Sequence, residues 1–431
     1  MAPAAIHMAT DLFAITTTNV PHDYYSQGLR KKFLIDGMKS PKIDSLPNPE
    51  SAADIGYDVN EEAFLRRSEA SRAAGGLPTS VPEGWPTRLE GPLVWSKDDF
   101  QNESEYTYHL THADKVELET AIKNFKEIGI NETKVSRDTF VLPNLGHTLE
   151  GICNELYDGR GFAIVRGIDP DSYPIEDLTI VYLGISSYIG ERRGKQDQRG
   201  SMLMHVIRHN DNRDDQYSES KPFHTDTVAD CLCLFTQNLA ESGGSSVVAS
   251  AWTVYNELAA TRPDLLHVLA EPNWPFDTYG RSPPYYSRSL MYYHDGKLIT
   301  SFSRRLLVGH PPFSTRTPGI PCLTERQAEA LDAVHFIAKR HEVNPRMFRG
   351  DLRFVNNMGI LHRREAFENS ESNARHLVRL WLNNPTMCWK LPRDLRIAWA
   401  RVFDDEDRDA HWDIEPPRKD GKILRVAGSC D

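Results

Sequence analysis

Phe223-His224-Thr225-Asp226 places an imidazole and a carboxylate two residues apart in a stretch that reads as strand. Alternate residues of a strand share a face, so both side chains can turn toward one ion. A third ligand from far down the chain would complete the two-histidine, one-carboxylate set that holds non-haem Fe(II) and leaves positions open for substrate and oxygen. Such a set constrains the fold, because it ties together two segments remote in sequence. The candidate third ligand is His362, at the end of the stretch 350–362.

Composition excludes several other classes. The formal charge of −11 over 431 residues argues against a general binder of phosphate backbones, so no nucleic-acid partner is expected. The six cysteines, Cys153, Cys231, Cys233, Cys322, Cys388 and Cys430, are too few and too scattered for a disulfide framework. No apolar run approaches the roughly 18 residues of a membrane span. Residues 1–20 lack a basic region followed by an apolar core, which removes the secretory reading. The expectation is a soluble, cytoplasmic, reduced protein without membrane contact, with a homodimer as the default assembly.

Residues 1–95 carry little periodicity and read as a partly irregular N-terminal extension, with a helical hint at 61–73. Order becomes visible at Thr111, an N-cap before a helix whose Leu118, Ile122 and Phe125 share a face and which Gly129 ends. Leu149, Ile152, Cys153 and Leu156 form a second such face. Residues 161–167 read as a buried strand bounded by glycines, and Ser172 with Pro174 opens a helix through Leu178, Val181 and Leu183. Strands are expected at 202–207, around His224, at 231–236 and at 245–249, with a polar loop at 208–221. One helix is expected over 252–269. Residues 271–321 read as a long aromatic and proline-rich insertion, inside which Asp295-Gly296 signals a hairpin. Thr324 and Gln327 form a capping box for a helix to about residue 340, and 352–361 and 377–382 alternate like strands. The pattern is α+β: a β-rich, closed or sandwich-like domain over 96–400 with flanking helices, and a tail over 401–431.

Taken alone, His-X-Asp is a permissive motif, and a single strand histidine is more often structural. Its company is more specific. Phe223-His224-Thr225-Asp226, the segment 241–246 with Gly243-Gly244, the segment 350–363 ending in His362, and Arg375-X-X-X-Arg379 follow in this order. Together they resemble the taurine dioxygenase-like (TauD/TfdA) family of Fe(II)/2-oxoglutarate oxygenases over roughly residues 140–382. The long, insertion-rich form is similar to fungal members of the family. The resemblance implies a double-stranded β-helix, a jelly-roll, cupin-like barrel with flanking helices and a long insertion. It implies Fe(II) on His224, Asp226 and His362, with 2-oxoglutarate and O2 as cosubstrates. It also implies oxidative decarboxylation to succinate and CO2, coupled to hydroxylation, desaturation or epoxidation of a C–H-bearing small metabolite.

Carried over residue by residue, Arg375 matches the arginine that receives the distal carboxylate of 2-oxoglutarate, a task suited to a planar guanidinium fork. Ser246 stands where the family often has Thr, and its hydroxyl still donates. Arg379 is expected to meet a substrate carboxylate or to brace the cosubstrate. It should share a strand face with Arg375, four residues away. His205 and Thr227 are the remaining substrate-side candidates. The aromatic run from Trp274 to Tyr293 reads either as a lid over an apolar substrate or as packing on the barrel. Two alternatives stay open on sequence: a cupin-like metalloenzyme that does not use 2-oxoglutarate, and a non-catalytic metal-binding barrel.

Overall fold

The computed structural model describes residues 24–33, 52–207, 218–311, 314–419 and 422–423. Most of the loop expected at 208–221 lies outside them. In chain order, the first half carries α1 (Gln27–Phe33), α2 (Glu61–Ala74), β1 (Thr107–His109), α3 (His112–Ile128), α4 (Leu145–Tyr157), β2 (Phe162–Arg166) and α5 (Ile175–Ser187). Then come β3 (Arg192–Arg193), β4 (Met204–Ile207), β5 (Lys221–His224), β6 (Cys231–Asn238), β7 (Ser242–Gly243), β8 (Ser246–Ser250), α6 (Ala251–Thr261) and α7 (Pro263–Ala270). The insertion holds β9 (Trp274–Asp277), β10 (Tyr285–Arg288), β11 (Met291–His294), β12 (Lys297–Thr300) and α8 (Arg304–Val308). The last part has α9 (Glu325–His341), β13 (Leu352–Asn356), β14 (Ile360–Arg364), β15 (Phe367–Glu368), β16 (His376–Asn383) and α10 (Arg393–Phe403).

Two sheets face each other. The larger runs β1-β2-β13-β6-β16-β3, with β4 added along β16; the smaller is β5-β14-β8. The chain passes between them in three residues, 357–359, because β13 and β14 are joined by a turn that Asn356 builds. Its side-chain oxygen accepts from the N–H groups of Met358 and Gly359, while its amide donates to the Leu156 carbonyl. What reads in the sequence as one strand over 352–361 is therefore two strands in opposite sheets. β13 is buried along its whole length, as expected of a strand covered on both faces.

The helical signals hold where capping chemistry is explicit. Thr111 and Asp114 form a capping box, and Gly129 ends α3 in the left-handed conformation. Thr324 and Gln327 do the same at the start of α9. The helix expected over 252–269 is broken at Arg262-Pro263, since proline supplies no N–H to the preceding turn. The hairpin at Asp295-Gly296 joins β11 to β12, with both turn residues at positive φ.

The aromatic insertion packs inward. Trp274 and Phe276 are fully buried, and Tyr286 stacks on Phe276 with centroids 5.4 Å apart. The extension also joins the core: Trp85 packs against Tyr255, and Leu89, Leu93 and Trp95 are buried. Arg67 of α2 pairs with Glu325 and Asp332 of α9. The boundary drawn at residue 400 falls inside α10, and Arg401, Asp405 and Arg408 beyond it are buried. Among the described residues no helix is long and apolar enough to cross a membrane.

Candidate active site

The two facing sheets line a cavity that opens to solvent. Its larger-sheet wall combines the apolar Ile164, Leu232, Leu234 and Leu377 with Arg353 and Arg379, whereas the smaller sheet contributes His224, Ser246 and His362. β14 runs antiparallel between β5 and β8, and its register sets His362 directly opposite His224. Cross-strand partners are the closest neighbours a sheet provides. The two imidazoles accordingly lie with ring centroids 4.3 Å apart.

Asp226 completes the cluster, though not as a strand residue. β5 ends at His224, and the Asp226 N–H is taken by the side-chain oxygen of Asn357, whose amide donates back to the carbonyls of Asp226 and Ala229. The shared strand face expected for the His-X-Asp pair is thus replaced by a turn clipped by Asn357. His224, Asp226 and His362 each offer a ligand atom within 4.8 Å of the others.

The protonation states suit a metal. His224 Nδ1 donates to the Pro222 carbonyl 2.9 Å away, which fixes Nε2 as the lone-pair nitrogen. Burial, with His362 adding to it, lowers the His224 pKa to about 3, so the ring is neutral at physiological pH. Burial works against the Asp226 charge, but Arg379 and the two imidazoles outweigh it and hold the carboxyl at about 2. Trp381 Nε1 donates to Asp226 Oδ2, and Arg379 lies 3.3 Å from the same oxygen. Arg379 is itself oriented by Gln196 at 2.8 Å. One carboxylate and two imidazoles fit a divalent iron with open positions.

Away from this corner the cavity is cationic. Lys221, Arg353, Arg363, Arg364, Arg375 and Arg379 line it, with Asp226 as the one carboxylate among the lining residues. Arg375 and Arg379 both reach the cavity, as their spacing predicts, although Arg375 precedes β16 by one residue. Arg375 is 3 % exposed and donates from Nε to the Gly244 carbonyl at 3.1 Å. A side chain at Gly244 would meet Arg375 Cδ and Nε at 2.9 Å, so only glycine leaves room for the arginine stem.

Two substrate-side candidates lie elsewhere. In β4 it is Val206 that lines the cavity; His205 points the other way, 2.8 Å from His376 and from the Asp413 carbonyl. Thr227 is absent from the lining, and its carbonyl accepts from Arg288 and Ser301. Sequence reasoning missed Trp381, Gln196 and Arg353. Only Arg353 carries a signal, a charge inside the apolar strand Leu352–Asn356.

Residues 128–381 match the family described as "Taurine catabolism dioxygenase TauD, TfdA family". The chain belongs to the TauD/TfdA family. Taurine hydroxylase-like protein SAT17 of Stachybotrys chartarum is 32 % identical over 395 residues, 88 % of this chain and 97 % of the relative. FR-33289 synthase of Streptomyces rubellomurinus is 28 % identical over 316 residues, 68 % of this chain and 90 % of that protein. Among solved structures, asparagine oxygenase in complex with Fe(II), 3-hydroxyasparagine and succinate superposes with a TM-score of 0.50 at 16 % identity, over 64 % of this chain and 93 % of its own. That likeness shows the fold, a jelly roll with flanking helices. Family membership makes this TauD/TfdA enzyme an Fe(II)/2-oxoglutarate-dependent dioxygenase acting on a small molecule, and decides against both alternatives left open by the sequence.

Proposed function

We propose that His224, Asp226 and His362 hold the iron, that Arg375 with Ser246 receives the distal carboxylate of 2-oxoglutarate, and that the substrate is a small metabolite with an anionic group. The observation that carries the substrate reading is the character of the lining: Lys221, Arg353, Arg364 and Arg375 face the same cavity as the apolar Ile164, Leu232, Leu234 and Leu377. The similarity to a taurine hydroxylase-like protein agrees, since taurine is a small aminosulfonate with one anionic end.

When bound, ferrous iron with 2-oxoglutarate and O2 supplies the oxidative decarboxylation that drives C–H oxidation. The chain's own residues hold and orient. Arg379 and Trp381 fix both position and charge of the Asp226 carboxylate. Arg375 fixes the far end of the cosubstrate, and the apolar Ile164, Leu232 and Leu234 keep water from the reacting corner. No side-chain nucleophile is required.

The test is anaerobic titration of the iron-loaded protein with 2-oxoglutarate, followed by the weak visible band of a chelated 2-oxo acid. The band is expected in wild type and greatly weakened in Arg375→Ala. Succinate release is then screened with amino sulfonates and carboxylates beside their neutral esters. Equal turnover of the esters would remove the anionic-substrate reading.

A further inference from the structure

Arg353 sits in the middle of β13 with 4 % exposure and lines the cavity. Its guanidinium bridges the two sheets. Nη1 donates to the Ser246 carbonyl at 3.1 Å, and Nη2 to the carbonyls of Pro345 and Arg346 at 3.2 and 2.8 Å. Nε is buried without an acceptor. The nearby carboxylate, Asp351, is held bidentately by Arg166 at 2.8 and 3.0 Å, and among the described residues no carboxylate contacts Arg353. Arg375 lies beyond the same Gly244–Ser246 corner. Its only hydrogen bond from the guanidinium among the described residues is the one to Gly244, and Phe367 stacks beneath it at 5.5 Å.

Two buried guanidiniums held by carbonyls and an aromatic face are costly: Asp351 and Glu103 favour the Arg353 charge from a distance without overcoming its burial, and no anion of the protein offsets the burial of Arg375. Carbonyl dipoles orient a guanidinium but do not cancel its charge. One carboxylate on Arg375 balances one charge and leaves Arg353 without a carboxylate in contact. In the low dielectric of this corner, the field of Arg353 therefore falls on whatever anion Arg375 receives.

We propose that Arg353 is a specificity-determining residue of the cosubstrate pocket. With Arg375, and beside Arg364 that lies over the same Phe367 ring at 4.8 Å, it fixes positive charge at the distal end, so the pocket selects 2-oxo acids by distal charge and accepts a dianion there. The inference rests on the assignment of Arg375 to the distal carboxylate. The competing role for Arg353 is that of a strut joining β13 to Ser246 and the 345–346 segment, with no electrostatic effect on the ligand.

The experiment compares 2-oxoglutarate with 2-oxopentanoate, the acid of equal length that lacks the distal carboxylate. Affinity is read from ligand-induced shifts in thermal unfolding of the iron-loaded protein under anaerobic conditions, independent of turnover. Wild type should prefer the diacid strongly. Arg353→Met should weaken the diacid roughly tenfold or more and leave 2-oxopentanoate unchanged, while Arg353→Lys restores most of the preference. Equal loss for both acids, or no loss for either, would overturn the proposal. If wild type itself shows no preference, the Arg375 assignment fails first. If the preference disappears in Arg375→Met but survives in Arg353→Met, only the role of Arg353 falls.

Should Arg353→Met fail to fold, the unmutated protein still decides. The phosphonate analogue of 2-oxoglutarate, 2-oxo-4-phosphonobutanoate, should gain affinity relative to 2-oxoglutarate as its phosphonate passes from mono- to dianion. A flat or falling ratio across that ionisation would overturn the dianion-accepting pocket.

Discussion

The two ends of the cavity differ in how complete they are without a ligand. At the metal end the charged groups are held within the protein, Asp226 by Arg379 and Trp381 and Arg379 by Gln196, and His224 is oriented by the Pro222 carbonyl, while His362 Nδ1 is buried without a partner among the described residues. At the opposite end Arg353 and Arg375 are held by carbonyls alone. The first is preorganised and keeps its geometry before anything binds; the second stores charge whose burial the protein does not offset and an incoming anion relieves. On the proposed assignments, one end fixes the chemistry and the other selects what is admitted.

The sharpest way to break this comparison is at the metal end. His224→Ala should abolish iron binding and reduce turnover to background while the fold persists, because the deleted ring leaves room for water and strips no buried charge of its partner. Iron stoichiometry beside a circular-dichroism melt checks it; retained iron would mean that the triad is misassigned. The largest effect at the other end is expected from Arg375→Ala. Loss of a buried bidentate partner should raise the 2-oxoglutarate concentration needed for half-maximal turnover roughly hundredfold, with iron affinity unchanged. A simultaneous loss of iron would show that the two ends are not separable.

Much of the metal end was legible in the sequence, and for definite reasons. His224, Asp226, His362 and Arg375 belong to a spaced set whose members are useless singly, so their joint presence is informative. The strand on either side of His362 was legible as well, but its break was not. Asn356 and Asn357 sit in an alternating run, and nothing local states that one builds the crossover between sheets and the other clips Asp226. Trp381 reads as an ordinary core residue of β16, since its indole donor finds Asp226 only through tertiary pairing. The aromatic insertion was open between a lid and packing on the barrel, since composition alone does not say which way a ring points, and Trp274 and Phe276 enter the core. His205 was carried by position in a motif, and strand alternation turns it to the outer face.

Trp381→Phe sharpens the comparison on a smaller scale. The ring volume is nearly kept while the N–H to Asp226 Oδ2 is removed, so iron affinity should fall roughly tenfold with the 2-oxoglutarate requirement little changed. Competition with a fluorescent chelator measures the first and succinate release the second. If both move together, the hydrogen bond orders the whole cavity and the metal end is not an independent unit.

The smallest expected effect concerns what holds the metal-bearing strand. His335 of α9 accepts the Phe223 N–H on Nδ1 at 3.2 Å, directly before His224 in β5. Burial, reinforced by Arg304 and Arg363, lowers its pKa to about 3. The unfolded ring titrates near 6.5, so between those values the unfolded chain binds the proton and the folded chain does not. The contribution of His335 is thus fully present above pH of about 6.5 and is lost as pH falls toward about 3, by at most roughly 1.4 kcal/mol per pH unit. His335→Gln keeps an acceptor for Phe223 without a titrating ring. Its stability should lie close to wild type at pH of about 7.5, where His335 is neutral in both states, and decline less steeply in acid by up to one proton's slope. Urea midpoints across that range decide it. An unchanged slope would place the acid sensitivity in other buried imidazoles, His376 foremost, whose pKa burial also lowers to about 3, and would leave the β5 anchor without a titrating part.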